Sequence, residues 1–314
     1  MTPVVIALIV LLCAVVCAGV GYGIFLAVHM SRSQRAVLFS VDNELDGRPG
    51  DRPVKLEVEP TVEPPDDVTP HRFDFAAARV CGQLVARLQL VFRQGYGGQK
   101  LRSPAPLMVH TELTFQGQLI GAVFAGPHRL WVAFRGTTTD EEWRRDFQFL
   151  HRTTHFPRQM YGAPCHAGFV SVFEELRPQL APVLREARSV PVFTGHSLGA
   201  ALATLCWLEW GGVAYVFGSP RVCATLPEVP GLFRVVNDDD PVVQLPLSVM
   251  WNRAKPEEPF QYQHGGEEWR FRSADLQRAS LTNAHLMPVY LAALERPGVF
   301  LARGLHEKKK LCRD

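Results

Sequence analysis

The 314-residue sequence predicts an α/β fold with a largely parallel central sheet, preceded by one N-terminal transmembrane helix. Three observations carry this expectation: short apolar runs alternate with helical stretches, one such run passes directly into Gly195-His196-Ser197-Leu198-Gly199, and residues 3–28 hold no charge. The strand candidates are Leu113–Phe115, Leu119–Phe124, Leu130–Phe134, Val190–Thr194, Val213–Phe217 and Phe233–Val236. Each is apolar on successive residues, the pattern of strands covered on both faces. Helical spacing appears near 167–177 and 198–210, and earlier in FAAARVCGQLVARLQLVF, which ends at the glycine loop 95–98. No Gly-Lys-Ser/Thr follows that loop, so it is not a phosphate cradle. Phe260–His264 and Glu267–Phe271, joined by Gly265-Gly266, predict a hairpin after the main sheet.

Composition narrows the function classes. Apolar residues make up 47% and charged residues 20%, a globular balance that excludes wholesale disorder. Thirty-three basic against 31 acidic side chains leave a net charge of +2, too weak a field to argue for a nucleic-acid partner. The seven cysteines are odd in number and lack paired C-x-x-C spacing, which argues against a zinc site and against a disulfide framework.

Pro3 to Val28 would span roughly 39 Å as a helix, more than the roughly 30 Å hydrocarbon layer of a bilayer. Residues 1–31 are therefore expected to form a transmembrane anchor. The rival is a cleaved signal peptide with Val16-Cys17-Ala18 as the processing site, although no basic side chain precedes the apolar run. Arg32 and Arg35 follow it, so the positive-inside rule predicts a cytoplasmic location for the remainder. Residues 32–72 read as an acidic, proline-rich linker, with nine acidic and three basic side chains between positions 41 and 71. The folded domain is expected over 73–300 and a basic tail over 301–314.

Chemistry concentrates after Val190-Pro191-Val192-Phe193-Thr194. A sharp strand-to-helix turn exposes the Ser197 hydroxyl, and glycines two residues to either side remove side chains that would collide with the neighbouring strand and helix. The helix begins beneath Ser197, so the Leu198 N–H faces the place where an oxyanion would form. A serine needs a base to take its proton and an acid to orient that base. Asp238, Asp239 and Asp240, at the end of the run Phe233–Val236, all stand where an acid is required. Of the histidines that follow, His264 lies in the expected hairpin and His306 in the charged tail, while His285 directly precedes the last amphipathic helix. His285 is the favoured base, and His264 is expected to be structural.

These residues resemble the class 3 lipase family of α/β-hydrolases. Five stretches agree in order: Ala133-Phe134-Arg135-Gly136-Thr137, His166-Ala167-Gly168-Phe169, Thr194 to Ala200, Phe217-Gly218-Ser219-Pro220-Arg221-Val222, and Asp240-Pro241-Val242-Val243 with Leu245-Pro246. The resemblance implies an α/β-hydrolase fold over roughly 75–295 and a Ser197–Asp240–His285 triad. It further implies an oxyanion hole from Thr137 and Leu198, a lipid acyl-ester substrate, and no metal or organic cofactor. A phospholipase or acyltransferase on the same triad, or an inactive membrane-tethered binding module, are the alternatives. Residues 138–147, the lid segment in this family, are mostly charged here, so activation by bulk oil is not implied. Nothing in the sequence sets the oligomeric state.

Overall fold

The computed structural model describes residues 63–93, 101, 106–136, 153–155, 164–246, 248–250, 259–276 and 284–303. The anchor expected at 1–31, most of the linker, the glycine loop 95–98, the lid segment and most of the tail lie outside these residues.

The elements in chain order are α1 (Phe75–Arg93), β1 (Met108–Phe115), β2 (Gln118–Ala125), β3 (Leu130–Phe134), β4 (Thr153–His155), β5 (Pro164–His166), α2 (Ala167–Glu186), β6 (Val192–His196), α3 (Leu198–Trp210), β7 (Val213–Phe217), β8 (Leu232–Asn237), β9 (Val249–Met250), β10 (Phe260–Gln261), β11 (Glu267–Phe271), α4 (Met287–Leu294) and β12 (Leu301–Arg303). Eight strands form one sheet in the order β1-β2-β3-β6-β7-β8-β11-β12. From β3 to β11 every pairing is parallel, while β1-β2-β3 at one side and β12 at the other pair antiparallel. The sheet is thus largely parallel.

The period of two along each strand builds a core on both faces. Trp131, Ala133, Val213, Tyr215 and Phe217 join the layer that includes residues of α1 and α4. Val132, Phe134, Ala214 and Val216 join the layer that includes α2 and α3. This is why the strands read as continuous apolar runs. Helix α3 is buried from Leu198 through Leu208. Its alanines let it lie close against the sheet, and a helix without a polar face has no surface position to occupy. Of the described helices, α1 alone is long and apolar enough to cross a bilayer, yet half of its most apolar stretch is buried inside the fold.

Three sequence expectations differ from the structure. The segments around Gly265-Gly266 do not form a hairpin: β10 pairs with β9, and β11 enters the main sheet parallel to β8. Of the two glycines only Gly266 has a positive φ, whereas a tight hairpin of the favoured kind requires it at both central residues. Across the observed pairing a buried charge contact forms, Arg234 against its register partner Glu268 at 2.6 Å. Burial alone would raise the Glu268 pKa, but Arg234 and Arg270 hold it down at about 2.

The domain also extends past both expected boundaries. Residues 63–72 fall in the expected linker, yet Val68 is buried and the Arg129 guanidinium donates to the carbonyls of Asp66 and Val68. Backbone carbonyls satisfied in this way hold the stretch on the body despite its acidic composition. At the other end, Leu301–Arg303 continue the sheet as β12.

Finally, Cys165 and Cys223 form a disulfide, against the expectation drawn from an odd cysteine count. Their 58-residue separation in sequence hides a direct antiparallel bridge between them in space. Bond partners of that kind are set by topology, which spacing does not report.

Candidate active site

The parallel strands deliver the sequence-predicted residues to one edge of the sheet. β6 ends at Ser197, β8 leads to Asp240, and β3 leads to Arg135-Gly136; His285 follows β11 in the chain. Carboxyl ends of parallel strands are where open α/β sheets place their ligands.

Ser197 has φ 57° and ψ −121°, an unfavourable backbone for a residue with a side chain. The contacts around it show how the strain is held. A Cβ on Gly195 would meet the Gly199 carbonyl oxygen at 2.0 Å, and one on Gly199 would meet the Phe134 and Arg135 carbonyls at 2.5 Å. Strand, turn and helix touch backbone to backbone, so the elbow has no room for any other residue at those two positions. Gly195→Ala is therefore expected to abolish folded, soluble protein, a result read by circular dichroism. Leu198 opens α3, and the first N–H groups of a helix have no partner within it.

The three aspartates separate by their partners. Asp238 pairs with Arg270, and Asp239 lies 3.6 Å from Arg272. Asp240 is buried, and its Oδ2 accepts from His285 Nδ1 at 2.7 Å and from the Tyr290 hydroxyl at 2.5 Å. Its Oδ1 accepts from the Val242 N–H at 2.8 Å. A carboxylate with three donors is fixed in position, and it dictates which ring nitrogen of His285 faces away. Burial pushes the Tyr290 phenol well up, and the adjacent Asp240 carboxylate adds to this, so the tyrosine stays a donor. A second clamp comes from Asn237, whose amide donates to the Ala284 carbonyl at 2.8 Å, one residue before His285.

His264 stands apart from this cluster, its Nε2 donating to the Val243 carbonyl at 2.7 Å. Burial, then the charge of Arg234, drives its pKa down to about 3, so it is a neutral donor. His306 and the oxyanion candidate Thr137 lie outside the described residues. The residue before the latter is described: Gly136 gives its carbonyl to Arg135 Nη1 at 3.0 Å, while Arg135 Nε reaches the Leu119 carbonyl at 2.6 Å. Arg135 also covers the Phe92 ring at 3.6 Å, so this buried cation braces the start of the loop. Sequence reasoning missed Tyr290 and Asn237. Both read as filler, one in an apolar helix and the other in a turn, and neither carries a motif. Among the described residues no cluster of side chains suits a metal ion.

Known proteins are similar to this chain over part of its length. A secreted mono- and diacylglycerol lipase of Fusarium solani is 31% identical over 138 residues, covering 39% of this chain and 40% of its own length. A chloroplastic phospholipase A(1) of Arabidopsis thaliana is 28% identical over 215 residues, covering 51% of this chain and 48% of its own. The chain thus spans about half, or less, of the length of these curated relatives. Among solved structures, the Rhizomucor miehei lipase propeptide complex superposes with a TM-score of 0.49 at 23% identity, over 62% of this chain and 67% of that one. Residues 131–250, which run from β3 through the elbow and Asp240 to β9, match the family model described as Lipase (class 3), over less than half of the chain.

Proposed function

We propose that this protein hydrolyses acyl esters of lipids through a Ser197–His285–Asp240 triad and an acyl-enzyme. The observation that carries the reading is the 2.7 Å contact of buried Asp240 with His285 Nδ1, on a ring 4.4 Å from that of His196, the residue before a serine held at φ 57°. With Nδ1–H donated to Asp240, Nε2 of His285 is the free base. It takes the Ser197 proton as Oγ attacks the ester carbonyl, and the N–H of Leu198 together with Thr137 binds the oxygen that becomes negative. The alcohol leaves with the proton from His285. Water then repeats the two steps, releasing the carboxylic acid and the free serine. The substrate class is supported by relatives named for acylglycerol and phospholipid hydrolysis. A folded sample should be labelled by a fluorophosphonate probe and should hydrolyse a short-chain soluble ester; absence of both would remove the reading.

The apolar run within residues 1–31 is proposed to hold the domain at a membrane, with the acidic stretch as its tether. The Cys165–Cys223 bond supports a domain that folds in an oxidising compartment rather than the cytoplasm, since cytosolic thiols are kept reduced. In protein trapped with acid from its native cells, both cysteines should resist alkylation until a reductant is added. Alkylation of both without reductant would place the domain in the cytoplasm.

A further inference from the structure

The residue between Gly195 and Ser197 is a histidine, and the mechanism above gives it no task. His196 is buried, and its ring lies where four parts of the site meet. Its centroid is 4.4 Å from that of the base His285 and 5.8 Å from that of Tyr290, the donor to Asp240. A Cβ on Gly136 would come within 2.9 Å of His196 Nδ1 and 3.2 Å of Gln89 Nε2, so the oxyanion loop rests its backbone on this pair. Gln89, from α1, contacts His196 Nδ1 through Nε2 at 3.2 Å.

An amide nitrogen can only donate, so Nδ1 is the acceptor and the ring proton sits on Nε2. That nitrogen is buried without a hydrogen-bond partner among the described residues, on the ring that packs against His285. Burial, then the charge His285 acquires, holds His196 well below the usual histidine range, against a smaller opposing pull from the His285 backbone. The ionisable groups facing the ring are His285 and Tyr290 from the C-terminal elements, Asp240 behind them, and Arg93 on α1.

We propose that Gln89 is a positioning residue: by donating to Nδ1 it fixes the tautomer and orientation of His196, and that ring sets the spacing between the oxyanion loop and the base. The inference rests on the Ser197–His285–Asp240 reading. Its chemical logic is electrostatic. His285 must accept a proton in the transition state, and a second imidazolium 4.4 Å away would oppose it. A ring that already receives a hydrogen bond at Nδ1 has no lone pair there for a second proton.

Two variants of the full chain test this, with rates on a short-chain soluble ester expressed per serine titrated by a fluorophosphonate. Gln89→Leu removes the donor at similar volume. It should lower kcat about tenfold with KM unchanged, the scale of one lost hydrogen bond acting on transition-state geometry. Gln89→Glu offers a carboxylate that accepts from Nδ1–H and so turns His196 to the other neutral tautomer, while adding a negative charge beside the site. The acid limb of its kcat/KM profile should move to higher pH, because the added negative charge favours protonation of His285. A purely structural glutamine would reduce the amount of titratable enzyme and leave both readouts unmoved. Wild-type kcat per titrated site and an unshifted limb in Gln89→Glu, with Ser197→Ala inactive, would overturn the proposal and leave the triad standing. Turnover by Ser197→Ala would remove the triad instead, and the proposal with it. Should Gln89→Leu fail to fold, the pH profile of Gln89→Glu decides alone.

Discussion

Ser197→Ala is expected to lower ester turnover by roughly 10⁶-fold, the loss seen when a nucleophile is removed from a serine triad. What survives is binding and oxyanion stabilisation, which act without a covalent step. The substitution removes one oxygen from a buried turn, and alanine meets the same φ penalty as serine at φ 57°, so the variant should fold. The decisive comparison is kcat for a soluble ester beside an unchanged thermal transition. Activity within tenfold of the natural protein would move the nucleophile elsewhere.

Asp240→Asn is expected to cost about 10⁴-fold in kcat, because an amide in place of the carboxylate allows the wrong histidine tautomer. The structure adds a second reason for the loss. Oδ2 of Asp240 serves two donors, His285 Nδ1 and the Tyr290 hydroxyl, and an NH₂ placed there would face both. Asp238→Asn and Asp239→Asn weaken ion pairs with the half-buried Arg270 and the exposed Arg272, and for Asp239 an exposed bond from the Ala274 N–H, so both should keep activity within a fewfold. Equal losses at the three positions would show that the turn as a whole, and not one carboxylate, is what matters.

The contrast among these aspartates also shows what a sequence can carry. Three adjacent residues of one type at a strand end are indistinguishable by pattern. They differ only in whether Arg270, Arg272 or His285 folds back onto them, and each of those partners lies tens of residues away. The elbow was legible for the opposite reason. Its demands are local: a strand, a residue in an unfavourable conformation, and two missing side chains within five positions. The parallel core strands were legible because burial on both faces leaves a signal in every residue. β11 was misread because its neighbour β8 is some thirty residues upstream, and glycines that separate two strands look the same whether or not the strands pair with each other. Gln89 and Tyr290 left no trace, since one polar residue on a helix and one aromatic in an apolar run fit the ordinary pattern of each element.

The disulfide has a topological consequence. Cys165 and Cys223 close a covalent loop that contains α2, β6, Ser197, α3 and β7, while Asp240 and His285 lie beyond it on the chain. A protease that cuts once within 166–222 would therefore leave two polypeptides still tethered, with Asp240 and His285 always on the C-terminal piece and Ser197 on either, according to the position of the cut. On a denaturing gel such a nicked enzyme would migrate as a single species, and only reductant would separate the fragments and make the damage permanent.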